Sequence, residues 1–292
     1  MANASMGHQA RMSFAANGTA IGSYTAAVDF ISESLGRSLT VVDANGIRGS
    51  RSHAVERCAD GTYSVGGQIS LFLTTGVPAL LYDRSMGGTV SGGTYSLAET
   101  LTEFDVLIDR VAKRFQYAFC KVSRATWRGA AGGAVTFDVD LVGKSETVSA
   151  TSFPSITAPT DAPYMFQSGT LTMISVARDM MDFEVTLDNG VEARFTNSQT
   201  ATDIHPTDRI VTLNCTVPWD STNSDLHPGG VGVDATGSLV FTSGATTHTM
   251  TFAMLTIEDV SPKVNSRGEI VLAIRAIARM SSTTRELVIT VA

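Results

Sequence analysis

The feature that most constrains the fold is strict alternation of apolar and polar residues over short segments. Phe137, Val139 and Leu141 alternate with Asp138 and Asp140; Phe183, Val185 and Leu187 alternate with Glu184, Thr186 and Asp188; Val211, Leu213 and Cys215 alternate with Ile210, Thr212 and Asn214. Successive side chains of a strand point to opposite faces, so this period demands half-buried strands. Two dipeptides tolerant of positive φ punctuate such runs. Asn189-Gly190 predicts that 183–195 is a hairpin with one apolar and one acidic, polar side, and Asp60-Gly61 predicts a tight hairpin between "SHAVERC" and "TYSVGGQISLFLTT".

Further strands are predicted in "TEFDVLIDRV", where Phe104, Val106 and Ile108 share a face, and in "RFQYAFCKVSRATW", with Gly129 to Gly133 as the turn that follows. The stretch 268–280 also fits helical spacing through Ile270, Ile274 and Ile277, but its β-rich flanks favour a strand. One short helix is predicted in "TGVPALLYDRSMGG". Thr75 or Gly76 caps it, Pro78 starts it, Leu80, Leu81 and Met86 form its packing face, and Gly87-Gly88 stop it. Residues 149–163 hold three prolines and little periodicity, which reads as a crossing between two halves. The Gly- and Pro-dense loop from Pro218 to Gly237 reads as a functional or contact loop. Residues 1–24, small and polar, read as an arm that orders against a partner.

The 292 residues suffice for a full core, and 43% hydrophobic with 17% charged residues is a globular mixture. A net charge of -7 disfavours gripping DNA or anionic lipid. Cys58, Cys120 and Cys215 lack any paired spacing and read as buried spectator thiols. The N-terminus has no stretch apolar enough for a signal peptide and no run approaches a membrane span, which predicts assembly in the cytoplasm and no membrane partner.

The sequence carries no nucleophile elbow, phosphate loop, zinc-protease or dinucleotide motif. His8, His53, His205, His227 and His248 are scattered and read as solvated rather than catalytic. Asp138 and Asp140 share a strand face, but with no third ligand nearby they read as solvated carboxylates, not a metal site. Trp127 and Trp219 read as packing residues. No catalytic residue, metal ligand or cofactor site is predicted.

The order of segments resembles the tail tube proteins of long-tailed bacteriophages. The resemblance rests on residues 46–88, 102–143 and 162–195 and on the ending "VSPKVNSRGEIVLAIRAIARMSSTTRELVITV", about four fifths of the chain. It implies a mainly β fold: a β-sandwich or half-barrel with one short flanking helix, whose inner sheet joins its neighbours' into a ring-wide β-barrel. It further implies an arm at 1–24 and a tube domain at 25–292 with long insertions or with tandem halves at about 25–150 and 160–292. The function implied is structural, in stacked rings, commonly of six or, for a tandem protomer, of three, that conduct DNA as non-specific cargo from capsid to host; six is the expectation adopted. The partners implied are copies of itself and the tail terminator, distal tail and tape-measure proteins, and the location is the virion tail. Six copies at -7 carry about -42 per ring, which repels phosphate. Asp138, Asp140, Glu184 and Asp188 are then the candidates for facing the lumen. A virion adhesin or carbohydrate-binding module, with Trp219 in its loop, is the alternative.

Overall fold

The structure, a computed structural model, describes residues 5–44, 46–47, 49–77, 79–88, 91–227, 234–258, 261–262, 264 and 268–292. The first half contains β1 (Arg11–Ala16), β2 (Ala26–Val28), β3 (Ser32–Glu33), β4 (Gly36–Asp43), β5 (Cys58–Phe72) and helix α1 (Ala79–Met86). It continues with β6 (Thr94–Ser96), β7 (Phe104–Asp109), β8 (Arg114–Ala130), β9 (Thr136–Gly143) and β10 (Ser145–Ser149). The second half contains β11 (Gly169–Met173), β12 (Val176–Arg178), β13 (Asp182–Asp188), β14 (Val191–Arg194), β15 (Asp203–Pro206) and β16 (Ile210–Pro218). It closes with β17 (Asp234–Ser243), β18 (Thr246–Ile257), β19 (Val271–Arg279) and β20 (Leu287–Val291).

The alternating segments form a central antiparallel sheet in the order β4, β5, β9, β8, β13, β16, β19. β8 organises it. Its C-terminal half lies between β9 and β13, while its N-terminal half pairs with β7 and β10. β7 in turn pairs with β1, and β1 with β2. From β19 the chain of pairings passes to β18, which also pairs with β17 and β20; β17 continues to β11 and β12.

The sheet folds back on itself as a sandwich. Phe183 of β13 meets Phe241 of β17 at 5.1 Å between ring centroids, and the Trp127 ring stacks on Phe137 at 4.9 Å. Residues from both halves of the chain share the main core. Each such fully buried Phe or Leu contributes about 1.5–3 kcal/mol through the apolar surface removed from water. The predicted mainly β fold with one short helix is therefore present.

Helix α1 buries Leu81, Tyr82, Ser85 and Met86, with Leu80 partly buried beside them. Its role is to roof the core: the Tyr82 ring lies 5.6 Å from Phe137 and 6.5 Å from Trp127. The Pro78 predicted to start it lies outside the described residues. Residues 268–280 contain strand β19, as their flanks implied. The crossing at 149–163 begins on the last residue of β10, Ser149, and holds no other named strand.

Four local expectations are corrected. Asp60-Gly61 is not a hairpin, because β5 runs unbroken through it, and Val55–Arg57 before it is a short 3-10 turn. A side chain at Gly61 would meet the Thr40 carbonyl oxygen at 2.9 Å, so the glycine permits close approach at the irregular register opposite Thr40. Asn189-Gly190 is not a hairpin either. Both edges of β13 are taken by β8 and β16, and β14 instead pairs with β15 in a separate two-stranded sheet. The dipeptide is a corner in which buried Asn189 donates to the carbonyls of Ser85 and Val122 at 3.0 and 3.1 Å, while Gly190 adopts φ +54. Within the expected arm, β1 enters the sheet and buries Met12 and Phe14 in the core without any partner chain. Cys58 is exposed, whereas Cys120 and Cys215 are buried; burial pushes the Cys215 thiol up to about 12.

Candidate functional site

The backbone register places the four acidic residues singled out by sequence on one face. Across β5, β9, β8, β13 and β16 one row reads Gln68, Asp140, Arg124, Asp188, Ile210. The next reads Ser70, Asp138, Thr126, Thr186, Thr212, and a third reads Phe72, Thr136, Arg128, Glu184, Asn214 and, on β19, Arg275. Because strand side chains alternate, the opposite face of the same residues' neighbours is Ile69, Val139, Ala125, Val185 and Leu213, all buried. One side seals the core and the other is a hydrophilic surface.

The acidic residues do not stand alone. Arg124 Nη2 donates to Asp188 Oδ2 at 2.8 Å, and Arg128 Nε donates to Glu184 Oε2 at 2.7 Å. Arg128 Nη1 also reaches Asp138 Oδ2 at 3.3 Å. The hydrogen bond to Asp188 raises the Arg124 guanidinium above its ordinary range, with the nearby charges of Asp188, Asp140 and Glu184 adding to it. The remaining acceptors are held by neutral donors. Ser70 Oγ donates to Asp138 Oδ1 at 2.5 Å, Gln68 Nε2 to Asp140 Oδ1 at 3.0 Å, Asn214 Nδ2 to Glu184 Oε1 at 3.4 Å, and the Gly190 amide to Asp188 Oδ1 at 3.0 Å.

The residues missed in the sequence are thus Arg124 and Arg128. Their signal was present: they flank Thr126 at even spacing on a strand, so any register that turns Thr126 outward turns both outward too. Asp138 is also less accessible than a solvated carboxylate, with its side chain 11% exposed. Phe72 and Ile210 are the apolar exceptions in these rows, and on β19 Val271, Ala273 and Ile277 share the side of Arg275.

Nothing in the arrangement prepares chemistry. Among the described residues no group of three His, Cys, Asp or Glu side chains is placed to hold a metal ion. Asp138 and Asp140 lie side by side but each is bonded to its own neighbour. The expectation that the histidines are solvated fails at His248, which is buried on β18 with Nε2 2.9 Å from the Tyr82 hydroxyl oxygen. Burial lowers its pKa to about 4, so it is neutral and structural near pH 7. Trp127 is fully buried, and Trp219 packs half-buried against the edge of the core, which matches the packing role read from sequence. No described helix is long and apolar enough to cross a membrane.

No curated protein matches the chain. A family model described as phage tail tube protein matches residues 7–278, nearly the whole of the sandwich just described. The chain belongs to the phage tail tube protein family: it is a structural protein of the viral tail that assembles with itself into the tube, and it is not an enzyme.

Proposed function

We propose that six copies close into a ring, that rings stack into the tube, and that the charged face of β5, β9, β8, β13, β16 and β19 lines the channel through which DNA moves. The observation that carries this reading is the two-sidedness of that sheet. Its inward residues are consumed by the protomer's own core, so its broad hydrophilic face is free to meet water and cargo. Across β5, β9, β8, β13 and β16, hydroxyls, amides and paired charges offer phosphate little uncompensated positive charge, which suits a wall that must not hold DNA. Asp138, Asp140, Glu184 and Asp188 are assigned to this wall.

A second feature supports assembly with copies of the same chain. β4 and the first half of β5 form a ribbon whose outer side chains are mostly exposed, including Leu39, Val41 and Val42 at 39%, 60% and 49%. The outer edge of β4 has no partner strand among the described residues. A ribbon with exposed apolar side chains and an open edge is stabilised when a neighbour covers it. Joining sheets between neighbours yields the ring-wide β-barrel, and repetition along an axis yields a filament. Contacts with tail terminator, distal tail and tape-measure proteins, and assembly in the host cytoplasm, complete the proposal.

Electron microscopy of the purified protein tests it. Hollow filaments with six subunits per ring are expected. A three-fold ring would replace the hexamer by a tandem arrangement of halves near 25–150 and 160–292, and protein that stays monomeric at high concentration, alone and with virion components, would overturn the reading. In virions, converting Asp140, Glu184 and Asp188 to lysine should slow genome ejection without preventing assembly. Unchanged ejection would place these residues elsewhere than the channel.

A further inference from the structure

On β8 the two arginines of the charged face are each set between carboxylates; Arg275, the further arginine of that face, lies on β19 with its Nη1 3.7 Å from Glu258. Arg124 lies across from Asp188 on one strand and Asp140 on the other, and Arg128 from Glu184, with Asp138 also within reach. Both guanidinium side chains are half exposed, at 52% each, so a passing phosphate can reach them. A bare arginine here would be a phosphate-binding group, since the planar fork donates two parallel hydrogen bonds to such an anion. What a phosphate meets instead is an ion pair, whose field falls off faster than that of a lone charge. Its carboxylate also repels the anion at the range where the guanidinium would bind it.

We propose that Asp188 and Glu184 serve as masks for Arg124 and Arg128. They keep this part of the wall wet and charge-balanced while denying phosphate the two cations that β8 would otherwise present. The acidic residues therefore act less by general repulsion than by occupying particular arginines. The two sites differ in a way that gives the idea content. Asp188 is the one carboxylate in ion-pair contact with Arg124 among the described residues, whereas Arg128 keeps Asp138 when Glu184 is removed. Unmasking should be more complete at Arg124.

The relevance of masking to DNA passage rests on the channel reading above, but masking itself is a property of the protomer and is tested on dissociated full-length protein. Binding of a short fluorescent DNA duplex is measured by anisotropy for the wild type, Asp188→Asn, Glu184→Gln and the double variant. The amides keep the acceptor oxygens that Gly190 and Asn214 use, remove the charge, and put an NH2 donor in place of the oxygen that accepts from the arginine. The double variant is expected to bind roughly tenfold more tightly at low salt, and each fully unmasked arginine to steepen the salt dependence by about 0.9 in log–log slope. Asp188→Asn should gain more than Glu184→Gln. Adding Arg124→Gln and Arg128→Gln should abolish the gain.

A charge-matched control sits off this face: Glu56→Gln with Glu192→Gln removes two exposed carboxylates that stand in no ion pair with an arginine among the described residues. An equal gain there would reduce the effect to net charge and overturn masking, as would a gain that survives loss of both arginines or no gain at all. The channel reading fails separately. A double variant that binds duplex in solution yet ejects its genome at the wild-type rate would retain the masks and remove the face from the channel.

Discussion

The two halves of strand β5 present a contrast within one element. From Val65 to Leu71 its alternate residues are buried, and it is a member of the wall: Val65, Ile69 and Leu71 enter the core while Gln68 and Ser70 hold Asp140 and Asp138. From Cys58 to Ser64, β4 is its one strand partner among the described residues, the loop at Gln199 bonds to Asp60 and Tyr63, Tyr63 packs partly against the core, and no residue of that half is fully buried. The wall is completed within the protomer, its apolar side by packing and its polar side by ion pairs. The ribbon is not, and Val41 and Val42 are exposed to solvent in the protomer; in the proposed tube a neighbour covers them. A tube protein must have both kinds of surface, one indifferent to cargo and one unsatisfied when alone.

The largest expected effect lies on the sealed side of the wall. Trp127→Ala removes a fully buried ring stacked on Phe137 and should cost about 3–5 kcal/mol in denaturant unfolding. A loss below about 1 kcal/mol would mean that the wall is not closed by its own core. Acid probes the same side. His248 is neutral when folded, with its pKa lowered to about 4, but protonates near 6.5 when unfolded. Between these values the unfolded chain binds more protons, so stability is complete above 6.5 and falls by about 3 kcal/mol on acidification to 4. His248→Asn should flatten that part of the pH profile, and an unchanged slope would contradict burial of the imidazole.

On the open side of the wall, effects on stability should be small. Arg128 and Glu184 are 52% and 37% exposed, and Glu184→Gln should change protomer stability by about 0–1 kcal/mol. The ribbon should show the smallest change of all. Val41→Asp with Val42→Asp should leave the isolated protomer within about 0.5 kcal/mol of wild type while shortening or abolishing filaments. Filaments of normal length would move the self-contact away from the ribbon and erase the contrast.

The sheet was legible in the sequence wherever one face is buried, because alternation is forced there. Phe137 to Leu141, Phe183 to Leu187 and Val211 to Cys215 all fell where period two put them. The four acidic residues followed onto one face for the same reason. Connectivity was less legible. Asn189-Gly190 signals tolerance of positive φ, not which strand comes next, and β13 had longer partners on both edges. Asp60-Gly61 advertises a turn, but Gly61 serves a close strand approach opposite Thr40. The masking arginines belong to β8, the strand between the two acidic ones, and their pairing depends on register that no local pattern fixes. His248 was missed since its burial comes from α1 and Tyr164, which lie far from it in sequence.

The central claim is that the charged face of this sheet looks into the channel. An image reconstruction of tubes grown from the purified protein tests it most directly. The account predicts six subunits per ring with Asp140, Arg124, Asp188, Arg128 and Glu184 on the lumen surface and the β4–β5 ribbon buried against a neighbouring subunit. A reconstruction with that face on the outer wall, or with the ribbon bare in solvent, would contradict it.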